Sequence, residues 1–260
     1  MWLLYRRGGL GDTLLTFPLL ELLRESGKTV WAVGNTDYFL LAKEVGWAQV
    51  VSSEIPEREF EGRIIISMDG NLKPFPERRV WIVEHYLKSL SLKGNFSKVL
   101  PIEPAENGLL EGYAVLHPSS GSWKKNPPLE LFLRIEQFLK REGFRTLYLI
   151  GEADQWLKDH IKNYFESFSP LEIARALKRA RLFVGLDSGL SHLASYCGLP
   201  TYIFYGPTDP LVWRPIGERV FQISLGLSCS PCFPDVCEER KCLHTDLLFN
   251  RFLMLYNMQS

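Results

Sequence analysis

The chain has 260 residues, 46% hydrophobic and 23% charged, the composition of a globular protein with one large domain or two ordinary ones. Its 30 basic and 30 acidic residues cancel, which disfavours a nucleic-acid partner, since that needs a concentrated basic face. No run reaches the roughly 20 apolar residues that span a bilayer, and the short apolar start flows straight into a glycine turn, so a cytoplasmic location is expected.

Taken in chain order, "MWLLYRR" reads as a buried strand and "DTLLTFPLLELLRESG" as an amphipathic helix ending at Gly27. "KTVWAVG" is the next strand, "TDYFLLAKEVG" a helix and "GRIIIS" a strand. This strand–helix alternation is the mark of a parallel sheet covered by helices. From 71 to 112 the pattern blurs, with "VWIVEHYLKSLSL" as a helix and "PIEPAENG" as a linker. The alternation then restarts: "YAVLHPSSGSW" is strand and turn, "PLELFLRIEQFLKREG" helix, "RTLYLIG" strand. "SPLEIARALKRA" is a helix with Ser169 as N-cap and Pro170 in the first turn. "RLFVGLDSG", "LSHLASYCG" and "PTYIFYG" follow as strand, helix and strand. The expected fold class is α/β: two doubly wound units, residues 1–108 and 109–260, with the ligand cleft between them.

The first turn, "GGLGDTLL", tests a dinucleotide reading. A G-x-G-x-x-G fingerprint needs a third glycine and an acid at the tip of the second strand. Here the third glycine is missing, the second strand ends in Gly34-Asn35, and a carboxylate at Asp12 would repel a pyrophosphate. Asp12 therefore reads as a helix N-cap, as a catalytic carboxylate, or as both, because capping fixes a side chain that catalysis needs fixed.

The richest stretch is "FVGLDSGLSHLASYCGLPTYIFYGPT", residues 183–208. Ser188 and Gly189 open a helix after a strand, so free backbone N–H groups there can seat phosphate oxygens. Asp187 just before them suits sugar hydroxyls. His192, a turn into the helix, can point back to the anion, and Thr208 follows in a second strand-end turn. In "HPSSGSWKKNPP", Ser120, Gly121 and Ser122 precede Lys124 and Lys125 in a cationic loop at the same sheet edge, where lysine is a competent phosphate partner. Cys229, Cys232, Cys237 and Cys242 fall within 14 residues and leave open a structural zinc site, local disulfides or ordinary thiols. No His or acid arrangement there leaves a position for a catalytic metal.

Together, "GLGD", "GSWKKNPP" and "VGLDSGLSHLASYCGLPTYIFYGPTDPLVWRP" resemble the heptosyltransferase family, glycosyltransferase family 9. The resemblance covers the first 30 residues and most of 113–242, and the "DSG"-to-"GPT" run is its specific part. It implies a GT-B fold of two Rossmann-like domains, with a C-terminal helix crossing back to the first. It also implies an inverting, metal-independent transfer of heptose from ADP-heptose, with no other cofactor, onto a glycan or glycolipid such as the lipopolysaccharide inner core. The lack of a D-x-D motif agrees with metal independence. By resemblance Asp12 is the general base, Lys125 neutralises the departing diphosphate, and Ser188, Gly189 and Leu190 form the diphosphate-binding helix start. Asp187 and His192 would contact donor sugar and phosphate. Any membrane contact would be peripheral to the inner membrane, apolar and local, because the net charge is zero.

The sequence departs from the family in two places. The acceptor half is short, mostly within 35–112, and Pro127 replaces the aromatic of a K-x-W-P motif. Two rivals keep part of the pattern. A non-catalytic nucleotide-sugar-binding protein would keep the "DSG" turn and Lys125 without needing Asp12. A Rossmann-type NAD(P) oxidoreductase is disfavoured by the missing third glycine and ribose acid.

Overall fold

A computed structural model describes residues 1–235 and 237–259. The first half runs β1 (Trp2–Arg6), α1 (Leu10–Leu14), α2 (Phe17–Glu25), β2 (Val30–Gly34), α3 (Thr36–Glu44), β3 (Val50–Ser52), β4 (Gly62–Ile66) and α4 (Ile82–Ser89). The second runs β5 (Tyr113–His117), α5 (Glu130–Arg141), β6 (Arg145–Ile150), β7 (Tyr164–Glu166), α6 (Pro170–Leu177) and β8 (Leu182–Leu186). It continues with α7 (Gly189–Tyr196), β9 (Thr201–Phe204), β10 (Val220–Ile223) and α8 (Thr245–Asn257). All pairings are parallel, in the orders β3-β2-β1-β4 and β10-β9-β8-β5-β6-β7.

The long helix expected from Asp12 to Gly27 is two helices. Pro18 has no N–H and its ring crowds the preceding turn, so the first helix stops at Leu14 and a second begins at Phe17. Gly27, at φ +76°, then ends it in a conformation that costs glycine least. Ser169 does cap α6, its hydroxyl accepting from the Glu172 N–H at 3.3 Å, with Pro170 in the first turn.

The central strands of the larger sheet are buried on both faces, and their alternate side chains enter different cores. Ala114, Leu116, Tyr148, Ile150, Val184 and Leu186 pack with α5 and α8. Val115, Leu147, Leu149 and Phe183 face the other way, into a core shared with α6, α7 and the first half of the chain. The C-terminal helix does not cross to the first half. Its Leu248, Phe252 and Tyr256, one turn apart, all enter the α5 core, where Phe252 meets Phe138, Tyr202 and Phe204.

The two halves are joined by that shared core. Phe17, Trp47 and Tyr196 form an aromatic triple with ring centroids 6.1–6.3 Å apart. The first turns of α1 and α7 touch: a Cβ on Gly189 would lie 2.7 Å from Leu10 Cβ and 3.1 Å from the Gly11 nitrogen. Gly189→Ala is therefore expected to lower stability by about 1–3 kcal/mol, the usual cost of overpacking. Urea unfolding checks this; an unchanged midpoint would show that the seam has slack.

Candidate active site

Each sheet reverses its winding beside its first strand, between β1 and β4 and between β5 and β8. Ligands of open parallel sheets bind at such switch points, beyond the strands' C-terminal ends. Here the loops after β1, β5 and β8 meet there and enclose, with neighbouring segments, a cavity of about 1010 Å³.

On the second-half wall, Ser188 caps α7 by accepting from the Ser191 N–H at 3.4 Å. Gly189 and Leu190 form the first turn at the cavity wall, where the amides have no intrahelical acceptor and the dipole favours an anion. Asp187 is buried, with Lys125 Nζ 2.6 Å from its backbone oxygen and 3.3 Å from Oδ2, and His192 Nε2 3.8 Å from Oδ1. Burial pushes the Asp187 carboxyl up, but His192 and Lys125 together outweigh it and hold the group below its ordinary range. Thr208 is buried at the same wall.

Lys125 ends a short 3₁₀ turn, Trp123–Lys125, after β5. The loop's shape is set by the Ser120 hydroxyl, which lies 2.9 Å from the Ser122 carbonyl and 2.7 Å from Asn126 Oδ1. Ser120, Gly121 and Lys125 line the cavity. Ser122 is not among the lining residues; its carbonyl accepts from the Lys125 N–H at 3.0 Å and helps shape the loop.

Asp12 lies on the first-half wall. It is not an N-cap; it is the third residue of α1, and its Oδ2 reaches back to the Gly9 N–H at 3.0 Å. Its Oδ1 pairs with Arg6 Nη2 at 2.7 Å, the arginine side chain 8% and the aspartate 32% exposed. The pair fixes the carboxylate while leaving part of it open to the cavity. Arg6 stands directly before the turn in "YRRGG", a cue that charge clustering alone does not separate from a surface pair.

The structure also brings in residues the sequence reading passed over. His117, last in β5, holds Asp154 through Nε2 at 2.9 Å, and both are buried. Burial raises the Asp154 carboxyl, yet His117, Ser119 and the Gly151 N–H at 3.0 Å bring it down to about 2. The folded value lies below the ordinary 3.8, so this pair contributes stability above about pH 4 that is lost as pH falls towards 2. The contribution is about 2 kcal/mol. Asp154→Asn should flatten the stability profile between pH 4 and 2 in urea titrations; an unchanged slope would show the pair to be neutral. Tyr38, Phe75, Glu152, Phe168, Trp213 and Phe233 complete the walls, all from segments far apart in sequence.

Cys229, Cys232, Cys237 and Cys242 are all free thiols. Burial pushes the Cys232 and Cys242 thiols up. Among the described residues no three His, Cys, Asp or Glu side chains form a group that could hold a metal ion. No helix among them is long and apolar enough to cross a membrane.

A family model described as glycosyltransferase family 9 (heptosyltransferase) matches residues 103–243, more than half of the chain. Lipopolysaccharide heptosyltransferase 1 of Pseudomonas aeruginosa is 34% identical over 65 residues, 25% of this chain and 18% of that protein. Lipopolysaccharide heptosyltransferase 3 of Escherichia coli K12 is 25% identical over 131 residues, 46% of this chain and 38% of its own length. The chain thus spans less than half of either curated relative. Among solved structures, the Escherichia coli heptosyltransferase WaaC with ADP superposes with a TM-score of 0.72 at 16% identity, covering 100% of this chain and 99% of that one. The iron-containing dodecameric glycosyltransferase TibC of enterotoxigenic Escherichia coli H10407 gives 0.78 at 17% identity, covering 100% and 76%. These likenesses show the fold: α/β, of the two-sheet GT-B kind.

Proposed function

This chain belongs to glycosyltransferase family 9, the heptosyltransferases, and we propose that it moves heptose from ADP-heptose onto a cell-envelope glycan such as the lipopolysaccharide inner core. In this reading residues 1–108 are the acceptor half and 109–260 the donor half. The donor diphosphate sits on the first turn of α7, beside Lys125. The acceptor hydroxyl attacks the anomeric carbon from the opposite face, Asp12 takes its proton, and ADP leaves with inversion. Charge developing on the departing diphosphate is met by the Lys125 ammonium and the α7 amides, which supply the stabilisation a divalent ion would otherwise give. The enzyme would work on the cytoplasmic side, touching the inner membrane peripherally where its acceptor is lipid-linked.

The observation that carries the reading is a convergence: a carboxylate fixed by Arg6 and the Gly9 N–H lines one cavity together with a lysine and a helix start at a switch point. A thermal-shift panel of ADP, GDP, UDP and NAD tests it. Selective stabilisation by ADP is expected, followed by ADP release from ADP-heptose when acceptor glycan is added. Selective stabilisation by NAD would sink it.

A further inference from the structure

The cavity has two ends, and the sheet order separates them. On the β5–β6–β7 side its walls carry Glu152 and Phe168, with Tyr38 opposite, whose phenol is pushed up by burial and by the Glu152 charge. On the β9 side they carry Thr208 and Trp213, with Pro74 and Phe75 beside them. Asp12 is held by Arg6, the last residue of β1, which pairs with Ile66 at the end of β4. Pro74 and Phe75 follow β4 into the same cavity, and the Pro74 carbonyl accepts from the buried Tyr86 phenol at 3.5 Å. A base that must reach the acceptor hydroxyl therefore places the reacting sugars at the β9 end, and the nucleoside extends the other way.

That end is built and braced. Arg79 holds Asp209 through two bonds, at 2.5 and 3.0 Å; Trp81 Nε1 donates to the Arg214 carbonyl at 2.7 Å, and the Ile82 N–H to the Val212 carbonyl at 3.1 Å. The segment 74–82 and the turn 209–214 thus form one wall. On it Phe75 is 55% exposed, and its ring meets Trp213 edge-on, with centroids 6.0 Å apart and planes at 82°. Of the cations that line the cavity, Arg6 is held by Asp12 and Lys125 by Asp187, and Arg7 reaches the Ser53 carbonyl just after β3, away from this wall. What the wall offers is an aromatic surface rather than a phosphate clamp. The C–H face of a pyranose, weakly positive, complements the negative face of such a ring.

We propose that Phe75, braced by Trp213, is the platform on which a neutral pyranose ring of the acceptor stacks beside Asp12. The proposal rests on the glycosyltransferase reading. Saturation-transfer NMR on the full chain, with saturating ADP, tests it using methyl glucoside, methyl galactoside and methyl heptoside as probes. At least one glycoside should receive saturation on its C–H face. Phe75→Ala should weaken that glycoside about five- to tenfold, the range of an aromatic contact, and Phe75→Tyr should restore it. ADP affinity should stay within about twofold in both variants. Equal saturation in Phe75→Ala, no glycoside signal while ADP binds, or tighter binding of glucose 6-phosphate than of methyl glucoside would each overturn the platform. Failure of ADP to bind the unaltered protein would instead remove the donor reading, and the glycoside signal would still decide the role of Phe75.

Discussion

Asp12→Asn is expected to lower turnover by about a thousandfold, within the range seen when a general base is lost, and to leave ADP affinity within about twofold. The amide oxygen can still accept from the Gly9 N–H or from Arg6, so the turn survives, but it cannot take a proton from an attacking hydroxyl. The variant also leaves the Arg6 guanidinium, 8% exposed, without its counter-charge, and that lowers the melting temperature. Turnover must therefore be compared well below both melting transitions. Calorimetric titration with ADP, run beside an assay of ADP release from ADP-heptose, separates the two effects. Unchanged turnover would remove Asp12 from the chemistry and favour a purely structural role in the α1 turn.

Lys125→Ala should act on the opposite wall, weakening ADP binding by about ten- to a hundredfold, the worth of a charge-assisted hydrogen bond to phosphate. It should also lower turnover, because the leaving diphosphate loses a counter-charge. This lysine is held against Asp187, its side chain 17% exposed, so it needs little reordering to meet a ligand. Its removal has a second, independent signature. Asp187 titrates below its ordinary range partly because of Lys125, so its contribution is present at neutral pH and is lost as pH falls through the folded value. Without the lysine the folded-state carboxyl takes up its proton at a higher pH, so the variant loses less stability on acidification. Melting temperatures of the variant and the unaltered protein should differ most near pH 7 and converge as the pH falls to 4 and below. ADP affinity equal to that of the unaltered protein would place the diphosphate elsewhere.

The elements most legible in the sequence are the central strands, because burial on both faces demands unbroken apolar runs such as "LFVGL" in β8 and "TYIF" in β9. The strands β3, β7 and β10 escaped because they are edge strands of three or four residues with mixed exposure, which leave no periodic signal. Pro18 stood in plain view in the first helix. Its consequence, a break rather than a kink, depends on how the chain on either side packs. The C-terminal helix carries a clear stripe in Leu248, Phe252 and Tyr256, yet a stripe says only that one face is buried, not on which sheet.

The candidate site divides the same way. Turn glycines, a helix start and a nearby lysine or carboxylate are local features, so "GLGD", "DSG" and "KK" named the polar centre of the cavity, Asp12, Lys125, Asp187 and Ser188, but not most of its lining. His117 with Asp154, Arg6 with Asp12, and Phe75 with Trp213 are pairs whose members lie 37, 6 and 138 positions apart, the distant two joined only when segments converge at a sheet edge. Sequence by itself determined the strand–helix alternation, the turn chemistry and the family, because each is written in short-range pattern. Tertiary structure decided which carboxylate is fixed by which cation, that Ser120 braces a loop, that α8 stays on the second sheet, and which end of the cleft is aromatic. Those outcomes depend on burial and on distances across the fold, which no local pattern encodes.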